Sequence, residues 1–417
     1  MSGTIGSNIL SHSGIVAETA AGLNWVSTVV TASTVTVEAG NGYWINTTSN
    51  TCTITLPASA EAGDNIVIVD FARTWGTNNV TLDSNGLNFQ GNADTYEVKY
   101  TTSGQSVNLI YSDSTKGWIP LEDDVVADEP VVPATQKAIF GYGFTDAVVS
   151  MSNLVNSSGV VASDVTGVGT DRQQLAAASY GLDKAIFGYG TTGSVVSLSN
   201  LVNNSGVIAA DVTGVGTARK QLAAATYGND KAIFGYGNTG SRVSLTNLVN
   251  NSGVIADDVT GVGTVRYSLA ATTYGTDKAI FGYGDQSGDS SLTNLVSNTG
   301  VVASDTTGVG TARAYLAAAG YGTTGQAIFG YGQNESYLSL TNLVSNLGVV
   351  ATDTSGVGTA RGSLAAASFG GDKAIFGYGE TTNISNLVSN TGVVASNVTG
   401  VGTSRSGLAA AGYSLSA

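Results

Sequence analysis

Lys137-Ala138-Ile139-Phe140-Gly141-Tyr142-Gly143, KAIFGYG, is the stretch whose reading decides the fold. It recurs at Lys184, Lys231, Lys278, Gln326 (as QAIFGYG) and Lys373, at spacings of 47, 47, 47, 48 and 47 residues. A fixed period of this size marks a repeat architecture with one supersecondary unit per copy. One unit, RKQLAAATYGNDKAIFGYGNTGSRVSLTNLVNNSGVIADDVTGVGT from Arg219, breaks at Gly and Asn into four segments of strand length. They are A (QLAAATY), B (KAIFGYG), C (VSLTNLV) and D (GVIADDV). A period near 47 also suits paired-helix repeats, but outside LAAA no two helical turns escape a glycine or a β-branched run. Four strands per unit in radial repetition predict a six-bladed β-propeller over 137–417.

No A segment precedes Lys137, whereas the chain ends on a spare one, RSGLAAAGYSLSA from Arg405. Pairing that last strand with the first B strand removes two open edges and closes the ring. Segment A carries the smallest side chains and is expected innermost, where blades converge.

Upstream, 27–120 changes to short alternating runs bounded by Gly, Asn, Asp and Ser: TVTVEA, YWINTT, TCTITLP, NIVIVDFA, NVTLDS, YEVKYTT, SVNLIYS and GWIPL. They predict about eight short strands, a β-sandwich or barrel. Residues 1–26 read as an attachment arm. Residues 121–136, LEDDVVADEPVVPATQ, read as an acidic, Pro-containing, self-repelling linker. The expected whole is all-β.

A net charge of −14 with 16 Lys and Arg in 417 residues gives no broad cationic surface, so no nucleic-acid partner is expected. The first residues lack a cationic start and no stretch approaches about 18 consecutive apolar residues, so neither a secretory signal nor membrane insertion is expected. Cys52 and His12 are the only Cys and His. Nucleophile–base pairs and His or Cys metal sites therefore cannot be assembled in the repeats, and the reading is a non-enzyme without cofactor or metal. Catalysis by two carboxylates stays open as an alternative, with Asp285 and Glu335 as its acids.

The order R-x-x-L-A-A-A followed by a strand ending in a glycine pair and two further strands resembles kelch-type propellers; GYG departs from that family's adjacent glycines, and its tryptophan is missing. The stretches GNGYWINTTSNTCTITLPASAEAGDNIVIVDFARTWGTNNVTL and YSDSTKGWIPL are similar to small β-domains of tailed-bacteriophage structural proteins. The resemblance implies a virion protein, a tail fibre or adhesin, homotrimeric with 27–120 as its oligomerisation domain, joined to other virion proteins through its amino-terminal part and contacting a host surface glycan or protein. A head, neck or collar decoration is the alternative.

Residues constant in every copy are expected to build the scaffold. Asp164, Asp211, Asp258, Asp305 and Asp353, with Asn397 in the sixth copy, each stand eight residues before Arg172, Arg219, Arg266, Arg313, Arg361 and Arg405. They are read as carboxylate–guanidinium bonds tying the D-to-A connection. The GYG tyrosines are read as packing between blades. Variation concentrates after GYG (FTDAVV, TTGSVV, NTGSRV, DQSGDS, QNESYL, ETTN) and between Arg and Leu (QQ, KQ, YS, AY, GS, SG). Both places lie on the face of the B–C and D–A loops, a fixed scaffold carrying exchangeable loops. The candidate ligand-binding residues are Gln173, Gln174, Lys220, Arg242, Tyr267, Asp285, Asp289, Tyr315, Asn334, Glu335 and Tyr337: aromatic plates beside neutral polar and carboxylate groups, suited to sugars or a polar protein surface.

Overall fold

The computed structural model describes residues 9–12, 15–18, 23–93, 98–122 and 134–417. Most of the arm and of the acidic linker, the His12 side chain and the start of YEVKYTT lie outside these residues. The described chain is all-β, with many small sheets and no helix, in two compact units, Met1–Pro133 and Ala134–Ala417.

In the first unit β1 (Ile9–His12) pairs antiparallel with β2 (Ile15–Glu18). There follow β3 (Asn24–Trp25), β4 (Thr34–Thr36), β5 (Asn41–Ile45), β6 (Cys52–Thr55), β7 (Asn65–Asp70), β8 (Val80–Asp83), β9 (Val98–Tyr100), β10 (Ser106–Tyr111) and β11 (Trp118–Glu122). Two sheets result, in the orders β11-β10-β7-β5-β3 and β4-β6-β8-β9. From β3 to β8 the chain alternates between them, so β3, β5 and β7 run parallel, as do β4, β6 and β8. Simple hairpins would not give this pairing. A parallel neighbour needs an intervening crossover, and here each crossover is a strand of the other sheet. One core draws Tyr43, Ile45, Ile66, Ile68, Val107 and Leu109 from the first sheet and Cys52, Ile54, Val80, Leu82 and Tyr100 from the second.

The outward faces of these sheets differ sharply. The four-stranded sheet presents Thr34, Thr36, Thr53, Thr55, Thr81 and Lys99, the polar half of an alternating pattern. The five-stranded sheet presents Trp44 beside Val69, Trp25 beside Gly42 and Val67, and Ile110 beside Ile119. Phe71 and Leu121 continue that face, 53% and 58% exposed.

In the second unit the strands are β12 (Lys137–Phe144), β13 (Val148–Val155), β14 (Ala176–Tyr180), β15 (Lys184–Gly188), β16 (Ser199–Val202), β17 (Ala223–Tyr227), β18 (Lys231–Asn238), β19 (Arg242–Val249), β20 (Ala270–Tyr274), β21 (Lys278–Gly282), β22 (Thr293–Val296), β23 (Ala317–Tyr321), β24 (Gln326–Gly330), β25 (Gln333–Asn334), β26 (Ser336–Tyr337), β27 (Thr341–Val344), β28 (Ala365–Phe369), β29 (Lys373–Gly377), β30 (Ser385–Val388) and β31 (Ala409–Tyr413). They form six antiparallel three-stranded sheets of segments A, B and C. Sheet one is β31-β12-β13; the sequence-terminal strand pairs with the first repeat strand, Lys137 opposite Tyr413 and Gly141 opposite Ala409. Sheets two to six take their A strand from just upstream, and β14, β17, β20, β23, β28 and β31 neighbour one another in cyclic order.

Segment D was expected as a fourth strand. It meets C at only two isolated bridges, such as Ser199 with Val212 and Val202 with Ile208. Between them D bulges out because the Asn200 side chain enters the ladder and donates to the Ala209 carbonyl at 3.0 Å.

B strands are buried on both faces, which explains a run of apolar residues with no alternation. GYG is a built-in irregularity at the end of each. Gly188 has no side chain because a Cβ would lie 2.7 Å from the Phe234 ring of the next sheet. Tyr189 has φ 64° and Gly190 φ 103°, so the ladder breaks and the tyrosine turns into the space between sheets.

Candidate functional site

The repeat-constant residues make one network per sheet, buried at the edge from which the D–A loop departs. Arg219 is fully buried. It donates from Nε to the Tyr236 carbonyl at 2.9 Å, from Nη1 to the Thr217 carbonyl at 3.0 Å and from Nη2 to Asn247 Oδ1 at 2.7 Å. Its guanidinium lies 4.3 Å from the ring centroid of Tyr189 in the preceding sheet, a cation–π contact out of water. The Tyr189 hydroxyl donates to the Val215 carbonyl at 3.2 Å, and its ring meets Phe234 edge-on at 5.2 Å. Burial lowers the Arg219 pKa, and burial raises that of Tyr189.

The expected pairing of each carboxylate with the arginine eight residues downstream is not formed. Arg172 faces Asp211 at 3.7 Å, Arg219 faces Asp258 at 4.0 Å, Arg266 faces Asp305 at 3.6 Å and Arg405 faces Asp164 at 3.8 Å. The partner belongs to the repeat that follows in sequence, because each arginine opens strand A of the sheet whose D segment comes last. The ion pair is also the weaker part of the contact. Asp258 accepts from the Thr217 amide at 3.1 Å, from the Thr217 hydroxyl at 2.5 Å and from Asn247 Nδ2 at 2.9 Å. Arg313 and Asp353 share this arrangement through Thr311 and Asn342, and Arg361 works with Asn397 in place of a carboxylate. The last arginine repeats the pattern across the chain ends: Arg405 donates to the Tyr142 carbonyl at 2.9 Å and to Asn153 at 2.7 Å.

Asn153, Asn200, Asn247, Asn294, Asn342 and Asn386 were missed in the sequence reading, although each is fully buried at the centre of its network. The signal was present: the same Asn precedes Leu-Val in every C segment. An amide is the side chain that can accept from a guanidinium and donate twice.

The variable residues do gather in one region. Isolated bridges join D–A and B–C loops pairwise: Gln173 with Thr191, Lys220 with Asn238, Tyr267 with Asp285 and Ala314 with Gln333. Inside them runs a closed cycle of backbone hydrogen bonds: Gln174 N–H to Gly407, Gly407 to Ser363, Ser363 to Tyr315, Tyr315 to Ser268, Ser268 to Gln221 and Gln221 to Gln174, all 2.7–2.9 Å. Each of the six has φ between 51° and 60°. Below this mouth the A strands enclose a space of about 80 Å³ lined by Ala, Ser, Thr and Gly. A chain of hydroxyls bonds neighbouring strands there, including Thr226 to the Ser179 carbonyl at 2.8 Å and Thr273 to that of Thr226 at 2.9 Å.

Several predicted ligand groups are engaged with each other. Arg242 donates to Asp285 at 3.0 and 2.7 Å and stands 5.2 Å from the Tyr267 ring centroid. Gln221 Nε2 reaches both Ser268 Oγ and the Tyr315 hydroxyl at 3.1 Å. Asn334 donates to the Ala312 carbonyl at 2.8 Å. Asp289 is half-buried, and burial followed by the neighbouring Asp285 charge raises its pKa. Gln173, Gln174 and Lys220 are half-buried, whereas Glu335 and Tyr337 are exposed.

Tyr337 and Arg242 hold the same place in the B–C loops of the fifth and third repeats, and each stands near the first loop residue of the next sheet. Arg242 meets Asp285, while the Glu380 carboxylate near Tyr337 raises the pKa of its phenol. Where Tyr267 flanks Arg242, Gly362 flanks Tyr337; a Cβ there would sit 3.5 Å from Tyr337 Cε1 and from Gln333 Oε1. The tyrosine thus lies beside a bare backbone with 47% of its surface open. Among the described residues no group of three His, Cys, Asp or Glu is placed to hold a metal ion.

No protein-family model matches the chain, and no curated protein matches it.

Proposed function

We propose that the six sheets are the blades of a kelch-like β-propeller and that the chain is a homo-oligomeric bacteriophage virion protein, a tail fibre or adhesin. Its first unit is a two-sheet sandwich attached to other virion proteins, and its loop-bearing mouth binds a host-surface glycan. The observation that carries the reading is the placement of variation. Residues that differ between copies ring one mouth, while a buried arginine, asparagine and tyrosine recur beneath them in every sheet. Tyr337, beside the bare backbone of Gly362, supplies an exposed aromatic plate, with Gln333, Glu335 and Glu380 as polar neighbours. Glu335 and Glu380 carry carboxylates, so the plate's surroundings favour a neutral sugar over an anionic one.

Full-length protein applied to host cells and to arrayed neutral glycans tests the proposal. Binding is expected, with a loss of about fivefold on Tyr337→Ala, as one stacking contact is worth on the order of 1 kcal/mol. A full-length chain that binds neither overturns it. The mutual bonding of Arg242, Tyr267 and Asp285 favours a second reading, a head, neck or collar decoration in which the variable residues only fasten adjacent blades. Imaging of intact particles separates the two by the chain's position.

A further inference from the structure

From the outward face of the five-stranded sheet in the first unit, we infer that this face is where copies of the chain meet. Trp25, Trp44, Val67, Val69, Ile110 and Leu121 all lie on it. Trp25 stacks on Trp44 with ring centroids 4.4 Å apart, and Phe71 meets Trp44 edge-on at 6.4 Å. The other sheet of the same unit carries threonines and a lysine at the equivalent positions, so the apolar face is not a general property of the fold.

The occupant is a second copy of this chain, presenting the same face. The six are apolar in a chain of net charge −14, and Asn65, Ser106 and Asn108 on the same face are polar without charge. Two copies therefore meet along β7 and β10 without like charges at the contact. The area is also suitable. The strands of 2, 5, 6, 6 and 5 residues, about 4.8 Å apart, cover on the order of 400 Å² in projection. A surface patch of about that size is often functional. Two such faces together approach the roughly 1,000 Å² that a specific interface requires. Strand addition at the sheet's sides is disfavoured, because β3 has two residues at one edge and β11 carries Pro120 and a bulge at the other. Packing face to face is the remaining mode.

This inference rests on the homo-oligomer of the proposed function and not on its glycan binding: a monomeric chain that still binds host cells overturns the oligomer and this face together and leaves glycan binding standing, while an oligomer that survives changes on this face overturns this inference alone. The test is the mass of the full chain by sedimentation and light scattering. The wild type is expected at two protomers, since one face meeting its own copy closes as a pair, and Val67→Asp with Ile110→Asp at one. Thr53→Asp with Thr81→Asp, on the polar sheet, is expected to leave the mass unchanged. A monomeric wild type, an assembly that survives the first pair of changes, or dissociation by the second pair refutes it. Should Val67→Asp with Ile110→Asp fail to fold, acrylamide quenching of the wild type decides. Trp75 and Trp118 are fully buried, so quenching reports Trp25 and Trp44. It falls as protein concentration rises if the face is covered by another copy, and stays constant if it is not.

Discussion

Replacing Arg219 by Met, which keeps the length and removes the donors, is the most direct test of how the repeats are held together. Three buried acceptors lose their partner: the carbonyls of Tyr236 and Thr217 and the side-chain oxygen of Asn247. Each unsatisfied buried acceptor costs about 1–3 kcal/mol. Burying Met instead of a guanidinium recovers part of that cost, since the arginine itself is desolvated. The expected net loss is about 3 kcal/mol, or about 6 °C in the melting temperature of a unit of this size. Asp258→Asn is expected to cost less than about 1 kcal/mol. The ion pair is 4.0 Å long and open to solvent on the carboxylate side, and Asn397 fills the same place in the sixth repeat. All four tryptophans and only Tyr43, Tyr96, Tyr100 and Tyr111 of the 18 tyrosines belong to the first unit, so tryptophan fluorescence follows the first unit, and a near-ultraviolet tyrosine transition without a tryptophan one reports the second. Double-mutant cycles sharpen the test: Arg219 should couple to Asn247 by about 1–3 kcal/mol and to Asp211, eight residues upstream, by nothing measurable. Coupling to Asp211 without coupling to Asn247 would refute the assignment.

Acid should destabilise the second unit in a definite window. Burial raises the pKa of Asp164, Asp211, Asp258, Asp305 and Asp353, but hydrogen bonds from Thr and Asn and the nearby arginines outweigh it and hold all five below the usual value. Depressed carboxylates stabilise the fold above the unfolded pKa near 4 and cease to do so as pH falls through the folded values. The melting temperature should therefore be flat from pH 7 to about 5 and fall below about 4; constancy down to pH 3 would contradict the networks. Asp289 has the opposite sign, with its pKa raised, so Asp289→Asn should raise the melting temperature at pH 7 slightly, by less than about 1 kcal/mol after allowing for its partial exposure. The Cys52 thiol is buried and its pKa is pushed up to about 11, so a thiol reagent should modify it only on unfolding, and fast native-state labelling would show that the first core is open. Deleting Arg405 onward removes the β31 partner of β12 and the Tyr142 and Asn153 contacts, and should abolish cooperative unfolding of the second unit until a peptide of the missing sequence is added back.

Much of the second unit could be read without coordinates because it is written six times. Comparison of copies separates the constant from the variable, and the segment left over at Arg405 points to the strand lacking before Lys137. The pairing of Lys137 with Tyr413 is where that leftover segment lies. Partner identity was less legible. Sequence distance suggested Asp211 for Arg219, but the register between segments D and A places Asp258 there, and a period alone does not give the phase of a contact network. The asparagine of each C segment was visible as a constant and passed over, because a polar residue in a strand gives no sign of whether it faces water or a buried guanidinium.

The amino-acid sequence by itself determined most of the strands, the repeat number and which loops differ, since these follow from periodicity and turn chemistry within a few dozen residues. Only the tertiary structure decided that segment D leaves the ladder, which strands of the first unit run parallel, that Arg242 and Asp285 neutralise each other, that Tyr337 lies beside Gly362, and that one sheet of the first unit turns a largely apolar face outward. Each of these depends on residues far apart in the chain meeting at a few ångströms. KAIFGYG is thus the strand on which the rest is hung, and the loops that follow it are where the chain differs from itself.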